Sequence, residues 1–458
     1  LGDVYKRQEI LALLGCFLMT LTAMPPWREV QITSGDDNHI LTNINCWSAD
    51  GRFILFDTRS DLAGGVFDCN KIRRVEVSTG KTEILYESKN GANCGVVTAH
   101  PARDACVFIH GPEFPDRDGF VYGPARRHGV ILSGDGGARV MDARDLVPPF
   151  TPGSLRGGSH VHVWHPKGDW VSFTYEDHFL EEKNRGGGQP NSRVVGVSVP
   201  GEVTPRHEHA RNHSGSHFSV IVTPIAQSPR PGSDDLLRAC EEGWIGTNGY
   251  VRPDGTRQNR ALAFQGTVLS KSGNPLVEVF VCDLPGNLAQ RGAGPLSGTS
   301  DQLPFPPEGV SVRRLTHTEG SPFPGIQGPR HWLRSSPDGS QIAFLARDDS
   351  GVVQIWLVEP VGGKTKPLTR NRHDIASAFS WTPDGSQIAH GMDGSLCLTS
   401  VVDGETKRLT PADYQRPIRP EACVVSPDGS RIAYTRTIQG KNQIFIHQRF
   451  LHQIVPTP

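Results

Sequence analysis

The chain has 458 residues, a formal net charge of −1 and many glycines (51) and prolines (36). A nearly neutral chain offers no electrostatic surface for nucleic acid or for an anionic membrane, so we expect neither partner. Abundant turn-forming residues are typical of many short strands, and we predict an all-β protein. The sequence contains no G-x-S-x-G, P-loop or dinucleotide-binding motif, which argues against a serine hydrolase and against nucleotide-dependent classes.

Residues 1–23 permit two interpretations. An apolar run from Ile10 to Ala23 follows Lys6 and Arg7, as in the h-region of an export signal. The run is shorter than the about 20 residues that a membrane-spanning helix needs. Alternatively, Met24 is the initiator and residues 1–23 are an upstream extension. We expect a periplasmic or exported protein in the first case and a cytoplasmic protein in the second.

A hairpin signature recurs along residues 24–458: a strand, a turn of the Pro-Asp-Gly type and a second alternating strand. The copies lie at residues 46–58, 98–110, 163–175, 267–281, 335–347, 380–392 and 424–436. Counted on Asp338, Asp384 and Asp428, the last three copies are 46 and 44 residues apart. This is about the length of a four-stranded propeller blade. We therefore predict a single domain, a seven-bladed β-propeller.

The two ends of the predicted propeller complement each other. The last unit has a third strand at 442–448 and then only a short tail, whereas residues 27–35 (WREVQITSG) resemble the fourth-strand segment 310–320. We predict that this N-terminal strand completes the last blade and closes the ring. Closure leaves no exposed strand edge that could pair with another chain.

Three insertions interrupt the repeat. Residues 180–193 are glycine-rich and are predicted to form a loop. Residues 229–260 include a helix-like pattern at 231–244, with Ser233 or Asp234 as its N-cap. Residues 286–309 are predicted to connect blades four and five.

The start of the first strand of each blade is the candidate site, because this strand lines the central channel of a propeller. Six residues before the turn stand Asn43, Gly95, His160, Gln265, His331, Ser377 and Glu421. Strict alternation would put His160 on the same face as the packing residue Trp164, with His162 pointing the same way. We predict Asn43, Gln265 and Glu421 as ligand-binding residues. His160, His162, His331 and the strand-opening His217 are the candidate metal ligands.

Each of these residues also has a simpler interpretation. Polar groups can line a water-filled channel without binding anything, and 18 histidines make some coincidences expected. His165 lies next to the turn and is interpreted as structural. The histidine-rich stretch 206–217 is interpreted as a solvated loop. His178 and Glu176 form either an acid–base pair or a turn.

The repeats themselves resemble TolB-type propeller repeats, also described as WD40-like PD40 repeats, because of the recurring SPDG phrase. More specifically, LRGGSHVHV, VSFTYEDH, RACEEGW, PRHW and QIAFLARDDSG together resemble the YidR-like family, a domain of unknown function among these propellers. This resemblance runs from about residue 31 to the last blade. It implies a fold but no established activity.

A more distant resemblance is to oligogalacturonate lyases. It implies a divalent metal ion (Mn, Ca or Zn) held by histidines and a glutamine, and β-elimination of an acidic oligosaccharide. His160, His162, His217, His331 and Gln265 supply these ligand types, and Arg156, Arg330 and His178 are the catalytic candidates. The alternative is a non-catalytic propeller that binds a protein partner through loops such as 180–193 and 231–244.

Overall fold

The computed structural model describes residues 27–42, 44–184, 192–329 and 332–449. This part of the chain contains 30 strands, numbered β1 to β30 in chain order, and one α-helix, α1 (His178–Asn184). No helix in these ranges is long and apolar enough to cross a membrane. The candidate signal at residues 1–23 lies outside the described residues.

Seven four-stranded antiparallel sheets form the blades of a β-propeller, which confirms the predicted fold. Blade 1 contains β2 (Asn38–Ile40), β3 (Phe53–Arg59), β4 (Lys71–Glu76) and β5 (Thr82–Glu87). Blade 2 contains β6 (Cys94–Ala99), β7 (Ala105–His110), β8 (His128–Ser133) and β9 (Ala138–Val140). Blade 3 contains β10 (Gly158–Trp164), β11 (Val171–Glu176), β12 (Val194–Val203) and β13 (Gly215–Ile221). Blade 4 contains β14 (Arg238–Trp244), β17 (Ala261–Leu269), β18 (Pro275–Asp283) and β19 (Ser311–Arg314).

Blade 5 contains β20 (Arg334–Ser335), β21 (Ile342–Arg347), β22 (Val353–Val358) and β23 (Lys366–Pro367). Blade 6 contains β24 (Ser380–Trp381), β25 (Gln387–Met392), β26 (Ser395–Ser400) and β27 (Thr406–Arg408). Blade 7 contains β28 (Ile418–Val425), β29 (Arg431–Ile438), β30 (Lys441–Arg449) and β1 (Trp27–Gln31). A short hairpin of β15 (Tyr250–Val251) and β16 (Arg257–Gln258) is added to blade 4. The blades are therefore formed from consecutive chain segments, except at the closure.

The turn between the first two strands follows directly from the repeated sequence. In blade 5, the Asp338 carboxylate accepts hydrogen bonds from Ser336 Oγ (2.6 Å) and from the Ser340 backbone N–H (3.0 Å). The glycine after the aspartate, Gly339, has a φ of +77°, which other residues rarely adopt. Equivalent contacts of Asp384 and Asp428 form the turns of blades 6 and 7. The Pro-Asp-Gly phrase thus encodes the hairpin.

The first strands of successive blades are tied together by tryptophan side chains. The indole N–H of Trp47 donates to the carbonyl of Val424 (2.9 Å), so blade 1 is bonded to blade 7. Trp244 bonds Val163 O (3.0 Å) and so joins blade 4 to blade 3, and Trp381 bonds Arg334 O (3.0 Å) and joins blade 6 to blade 5. These bonds hold the innermost strands around the axis.

The N-terminal strand closes the ring as predicted. Strand β1 pairs with β30 in antiparallel register, with Trp27 opposite Arg449 and Gln31 opposite Phe445. Across this seam, the Glu29 carboxylate accepts hydrogen bonds from the Tyr434 hydroxyl and from Arg436 Nε, the latter at 2.8 Å. Arg436 is only 1 % exposed, so Glu29 compensates a buried charge.

The predicted insertions need correction in blade 4. Residues 238–244 are not helical: they form β14, the first strand of the blade, because Trp244 and its neighbours pair with β17 and enter the core. Hairpin 267–281 is therefore the second and third strands, and the real insertion within 229–260 is the β15–β16 hairpin. Residues 286–309 lie between β18 and β19, within blade 4, and do not connect it to blade 5.

The predicted loop at 180–193 is also corrected in part. Its first residues belong to α1, whose first turn carries Glu181 and whose last turn carries Lys183. Residues 185–191 lie outside the described residues. Residues 192 and 193 lead into β12.

We expect Glu29→Ala to lower the free energy of unfolding by about 2 kcal/mol, because it leaves the buried Arg436 guanidinium without its charge partner. The control is Glu405→Ala, since Glu405 is exposed. Urea denaturation of both variants and the wild type measures the difference. An equally small effect for both variants would mean that the seam contact does not stabilise the closed ring.

Candidate functional site

A β-bulge in β10, the first strand of blade 3, determines the directions in which its histidine side chains point. In β10 the register shifts between His160 and Val163, so two residues lie opposite one. The first strands of blades 2 and 4 have the same shift, and Val96, Val161 and Glu241 have φ values of +56°, +59° and +57°. Positive φ is unusual for a β-branched residue and indicates local strain. The bulge is thus a repeated feature of three consecutive blades.

The bulge reverses the predicted orientation of the histidines. His160 lies opposite Thr174, whereas Trp164 lies opposite Val171, and Thr174 and Val171 are on opposite faces of β11. The prediction that His160 shares a face with Trp164 was therefore wrong, because it assumed uninterrupted alternation. The prediction that His162 points the same way as His160 was wrong for the same reason, as the contacts of the two rings show below.

His160 is a buried imidazole at the start of its strand, 3 % exposed. Its Nε2 lies 3.8 Å from Glu176 Oε1 and has no hydrogen-bond partner among the described residues. The same Glu176 oxygen accepts a hydrogen bond from Arg193 Nε at 2.6 Å. Burial lowers the pKa of His160 well below 6.5, and the nearby charges of Arg127, Arg193 and Arg238 lower it further. His160 is therefore neutral at pH 7.

The charges of Arg127, Arg193 and Arg238 all act on His160, and we call these four residues, together with Glu176, the His160 cluster. Arg127 comes from the loop before β8, Arg193 from the start of β12 and Arg238 from the start of β14. Blades 2, 3 and 4 each contribute one guanidinium. Within the cluster, one carboxylate faces three permanent cations, so the cluster is an anion-attracting surface.

Two aromatic rings support the cluster on the side of blades 1 and 2. Phe67 and Tyr122 are stacked, with ring centroids 4.8 Å apart and an interplanar angle of 3°. The Arg127 guanidinium lies 5.0 Å from the centre of the Tyr122 ring, and that of Arg59 lies 4.8 Å from the Phe67 ring. The buried Arg59 is paired with Asp57, which neutralises its charge. These cation–π contacts fix the guanidinium planes beside the mouth.

Glu242 is a site residue that the sequence analysis missed. Its Oε2 accepts a hydrogen bond from Thr174 Oγ1 (3.0 Å), and Thr174 is the residue opposite His160. The carboxyl is 1 % exposed, and burial raises its pKa to about 7. The signal was present: Trp244 stands before a turn as Trp164 does, but Glu242 fell within the stretch 231–244 that was interpreted as helix-like.

A second polar network lies on the other side of β10. Ser159 Oγ lies 3.0 Å from Asp142 Oδ1 and 2.9 Å from His162 Nε2, and the Gly129 N–H donates to Asp142 Oδ1 (2.8 Å). With Asp142 ionised, the Ser159 hydroxyl donates to its carboxylate, so His162 Nε2–H donates to Ser159. The serine lies between the acid and the histidine, unlike a hydrolase triad. His162 is fully buried, and its Nε2 is bonded to Ser159.

Three other predicted site residues have different positions from those expected. Arg156 is 1 % exposed and is ion-paired with Asp177 (2.7 Å), so its guanidinium is not available at the mouth. Gln265 lies on the second strand of its blade and donates to Glu241 Oε2 (2.7 Å), since β14 is the first strand. His217 lies on β13, the fourth strand, opposite Pro200, and therefore not on the channel wall.

Of the remaining predicted site residues, the structure describes Glu421 and His178. Glu421 lies on β28 and is paired with Arg419 (2.6 Å). His178 begins α1, with its Nδ1 3.7 Å from Glu182 Oε1 and its ring edge against Phe120. Asn43, Arg330 and His331 lie outside the described residues.

The His160 cluster does not fit a divalent metal ion. In the ranges that the structure describes, no three His, Cys, Asp or Glu side chains are arranged to hold one. His160 itself is surrounded by arginines, whose charges repel a cation. The cluster fits a carboxylate instead, because guanidinium groups bind carboxylates through paired hydrogen bonds.

We expect Glu242→Gln to change the pH dependence of stability. The folded-state pKa of Glu242 is raised from 4.5 to about 7, so its contribution to stability is present below pH 4.5 and is lost as the pH rises through 7. Glutamine removes this loss. The variant should match the wild type at pH 5 and exceed it by roughly 3 kcal/mol at pH 9. Denaturant unfolding at both pH values measures the difference.

The control for this prediction is Glu405→Gln, which changes an exposed glutamate in the same way. We expect its difference from the wild type to be the same at pH 5 and pH 9. A stability difference of Glu242→Gln that is independent of pH would show that the Glu242 carboxyl ionises normally in the folded protein.

Known proteins share both the sequence and the fold. A family model described as a protein of unknown function (DUF3748) matches residues 93–213. The chain is 44 % identical to YidR of Escherichia coli (strain K12), described as an uncharacterized protein, over 409 residues, which are 88 % of this chain and 94 % of YidR.

Among solved structures, an oligogalacturonate lyase in complex with manganese is similar at a TM-score of 0.55 and 12 % identity, covering 93 % of this chain and 94 % of that one. An oligogalacturonate lyase from Vibrio parahaemolyticus is similar at a TM-score of 0.52 and 12 % identity, covering 94 % of each chain. At this identity the structural similarity shows a shared propeller fold. The sequence match to YidR extends over most of both proteins, and the chain belongs to the YidR-like family.

Proposed function

We propose that the protein binds an acidic oligosaccharide at the mouth of the propeller channel and acts on it as a lyase. One observation carries the proposal: the charges of three arginines from three blades act on the buried imidazole of His160, whose Nε2 lies 3.8 Å from the Arg193-bonded carboxylate of Glu176. A uronate would add a second carboxylate to the cluster, in which Glu176 pairs with Arg193 and is the carboxylate already present. The propeller fold shared with oligogalacturonate lyases supports this ligand class.

The reaction class follows from the chemistry of a bound uronate. A base removes the proton on the carbon next to the carboxylate, the electron pair forms a carbon–carbon double bond, and the glycosidic oxygen leaves from the β-carbon and takes up a proton. Charge developing on the carboxylate is stabilised by Arg127, Arg193 and Arg238. In this proposal the cations of the chain perform the role that a metal ion performs elsewhere.

His160 is the proposed base. It is unprotonated at neutral pH, because burial and the three arginines hold its pKa low. A bound carboxylate offsets the arginine charges and so raises the pKa of His160 toward its ordinary value. The substrate would thus make its own base stronger, and proton abstraction would depend on the correct anion being bound.

A second candidate function is a non-catalytic propeller that binds a protein partner, and exposed apolar side chains favour it. Leu62 and Val66 in the loop after β3 are 43 % and 50 % exposed, and Phe114 and Val121 in the loop after β7 are 43 % and 47 % exposed. These loops lie on the blade 1 and blade 2 side of the channel. Apolar side chains exposed together are common at protein interfaces.

Isothermal titration calorimetry with tri-galacturonate tests the first proposal. We expect binding by the wild type and at least about tenfold weaker binding by Arg127→Gln and Arg193→Gln, since each loses a charge-assisted hydrogen bond. The matched control is Arg257→Gln, an exposed arginine on the β15–β16 hairpin, which should bind as the wild type does. Neutral maltotriose should not bind.

Lyase activity is measured separately by the ultraviolet absorbance of the unsaturated product, with EDTA and with added Mn²⁺. We expect activity in EDTA and its loss in His160→Ala. Activity that requires Mn²⁺ would show that a metal, rather than the arginines alone, neutralises the carboxylate. Failure of the wild type to bind tri-galacturonate would overturn the proposed ligand class and leave the protein-binding function.

A further inference from the structure

The insertion between β18 and β19 crosses onto blade 3 and is anchored there. Arg156 donates through its two terminal nitrogens to the carbonyls of Thr299 and Gln302, the latter at 2.6 Å, while its Nε is bonded to Asp177. Lys183 Nζ on α1 donates to the carbonyl of Ser300 (3.0 Å). Arg156 therefore holds the insertion in place as a wall.

This wall encloses a groove of about 600 Å³. Its other sides are α1 and the segment 223–229, which leads from blade 3 to blade 4. The volume is within the range of about 300–1,000 Å³ that is usual for ligand sites. Arg156, a catalytic candidate from the sequence, thus contributes to a neighbouring cavity and not to the His160 cluster.

The lining of the groove has the chemistry of a carbohydrate site. Leu180, Leu237, Leu303 and Phe305 provide apolar surfaces that suit the C–H faces of sugar rings. Polar side chains at the groove, Ser192, Thr223 and Asp301, suit sugar hydroxyl groups. Such a mixture of apolar walls and few polar groups is common in ligand sites.

Two segments of the chain connect the groove to the His160 cluster. Ser192 and Leu237 line the groove, and each directly precedes an arginine of the cluster, Arg193 and Arg238. The Ser192 hydroxyl donates to the carbonyl of Leu237, so the two segments are joined where the groove meets the cluster. The groove and the two arginines are therefore held by the same two joined segments.

We infer that this groove binds the sugars that adjoin the uronate held by the His160 cluster, so that the ligand is an acidic oligomer and not a monosaccharide. The inference rests on the proposed function. It adds a site built by the blade 4 insertion, which Lys183 holds in place through its ion pair with Asp301 and its hydrogen bond to the carbonyl of Ser300.

Titration calorimetry with galacturonate, di-galacturonate and tri-galacturonate tests the inference. We expect the wild type to bind the trimer at least about tenfold more tightly than the monomer. Phe305→Ala should lose most of this preference while its affinity for the monomer stays unchanged. The matched control is Phe323→Ala, a partly exposed phenylalanine outside the groove, which should keep the preference.

A second variant protects the test against a local folding defect in Phe305→Ala. Ala226→Trp places a large side chain in the groove and should also abolish the preference for the trimer, while binding of the monomer remains. Equal affinities of the wild type for monomer and trimer, or a full trimer preference in both variants, would contradict sugar binding in the groove and leave the proposed function intact. Binding of neither ligand by the wild type would overturn both.

Discussion

The hydrogen bond from a first-strand tryptophan to the backbone of the preceding blade is the constraint on which the rest of the ring depends. Trp47, Trp244 and Trp381 make this bond, and each indole is at most 9 % exposed. A buried indole N–H without an acceptor would be costly, so the bond fixes the separation of neighbouring strands as well as stabilising them. Blade 3 uses another contact, in which Thr98 Oγ1 of blade 2 donates to His162 O at 2.7 Å.

Because the innermost strands are held in place, the first halves of three of them can contain strained and polar residues. The bulge of β10 sends His160 toward one neighbouring blade and His162 toward the other, and each meets a different buried carboxyl network. Glu242 is reached through Thr174 on one side, and Asp142 through Ser159 on the other. A single strand thus separates two networks whose acids have raised pKa values, about 7 for Glu242 and about 6 for Asp142, both because of burial.

Much of the fold could be predicted from the sequence, because a Pro-Asp-Gly turn between alternating strands is a local signal that repeats. Blade 4 was misread since its first strand follows a helix-like stretch of sequence and is separated from the second strand by an added hairpin. The position of His160 near the start of a first strand could be predicted from the repeat. The direction of its side chain could not, because the sequence pattern does not reveal the bulge. Arg127, Arg193 and Arg238 were missed because no spacing rule connects their positions: Arg127 precedes a third strand, Arg193 precedes another, and Arg238 begins the first strand of the misread blade 4.

The closure of the ring has a consequence for how the protein is made. Glu29 and its partner Tyr434 are 405 residues apart, so β1 leaves the ribosome long before the strands with which it pairs. Until then β1 is an unpaired strand beside six blades that can already form from local segments. Contacts of such long range slow folding and expose strand edges to association. Synthesis of this chain therefore includes an interval in which its N-terminal strand is available to another partner, a chaperone or a second nascent chain among them.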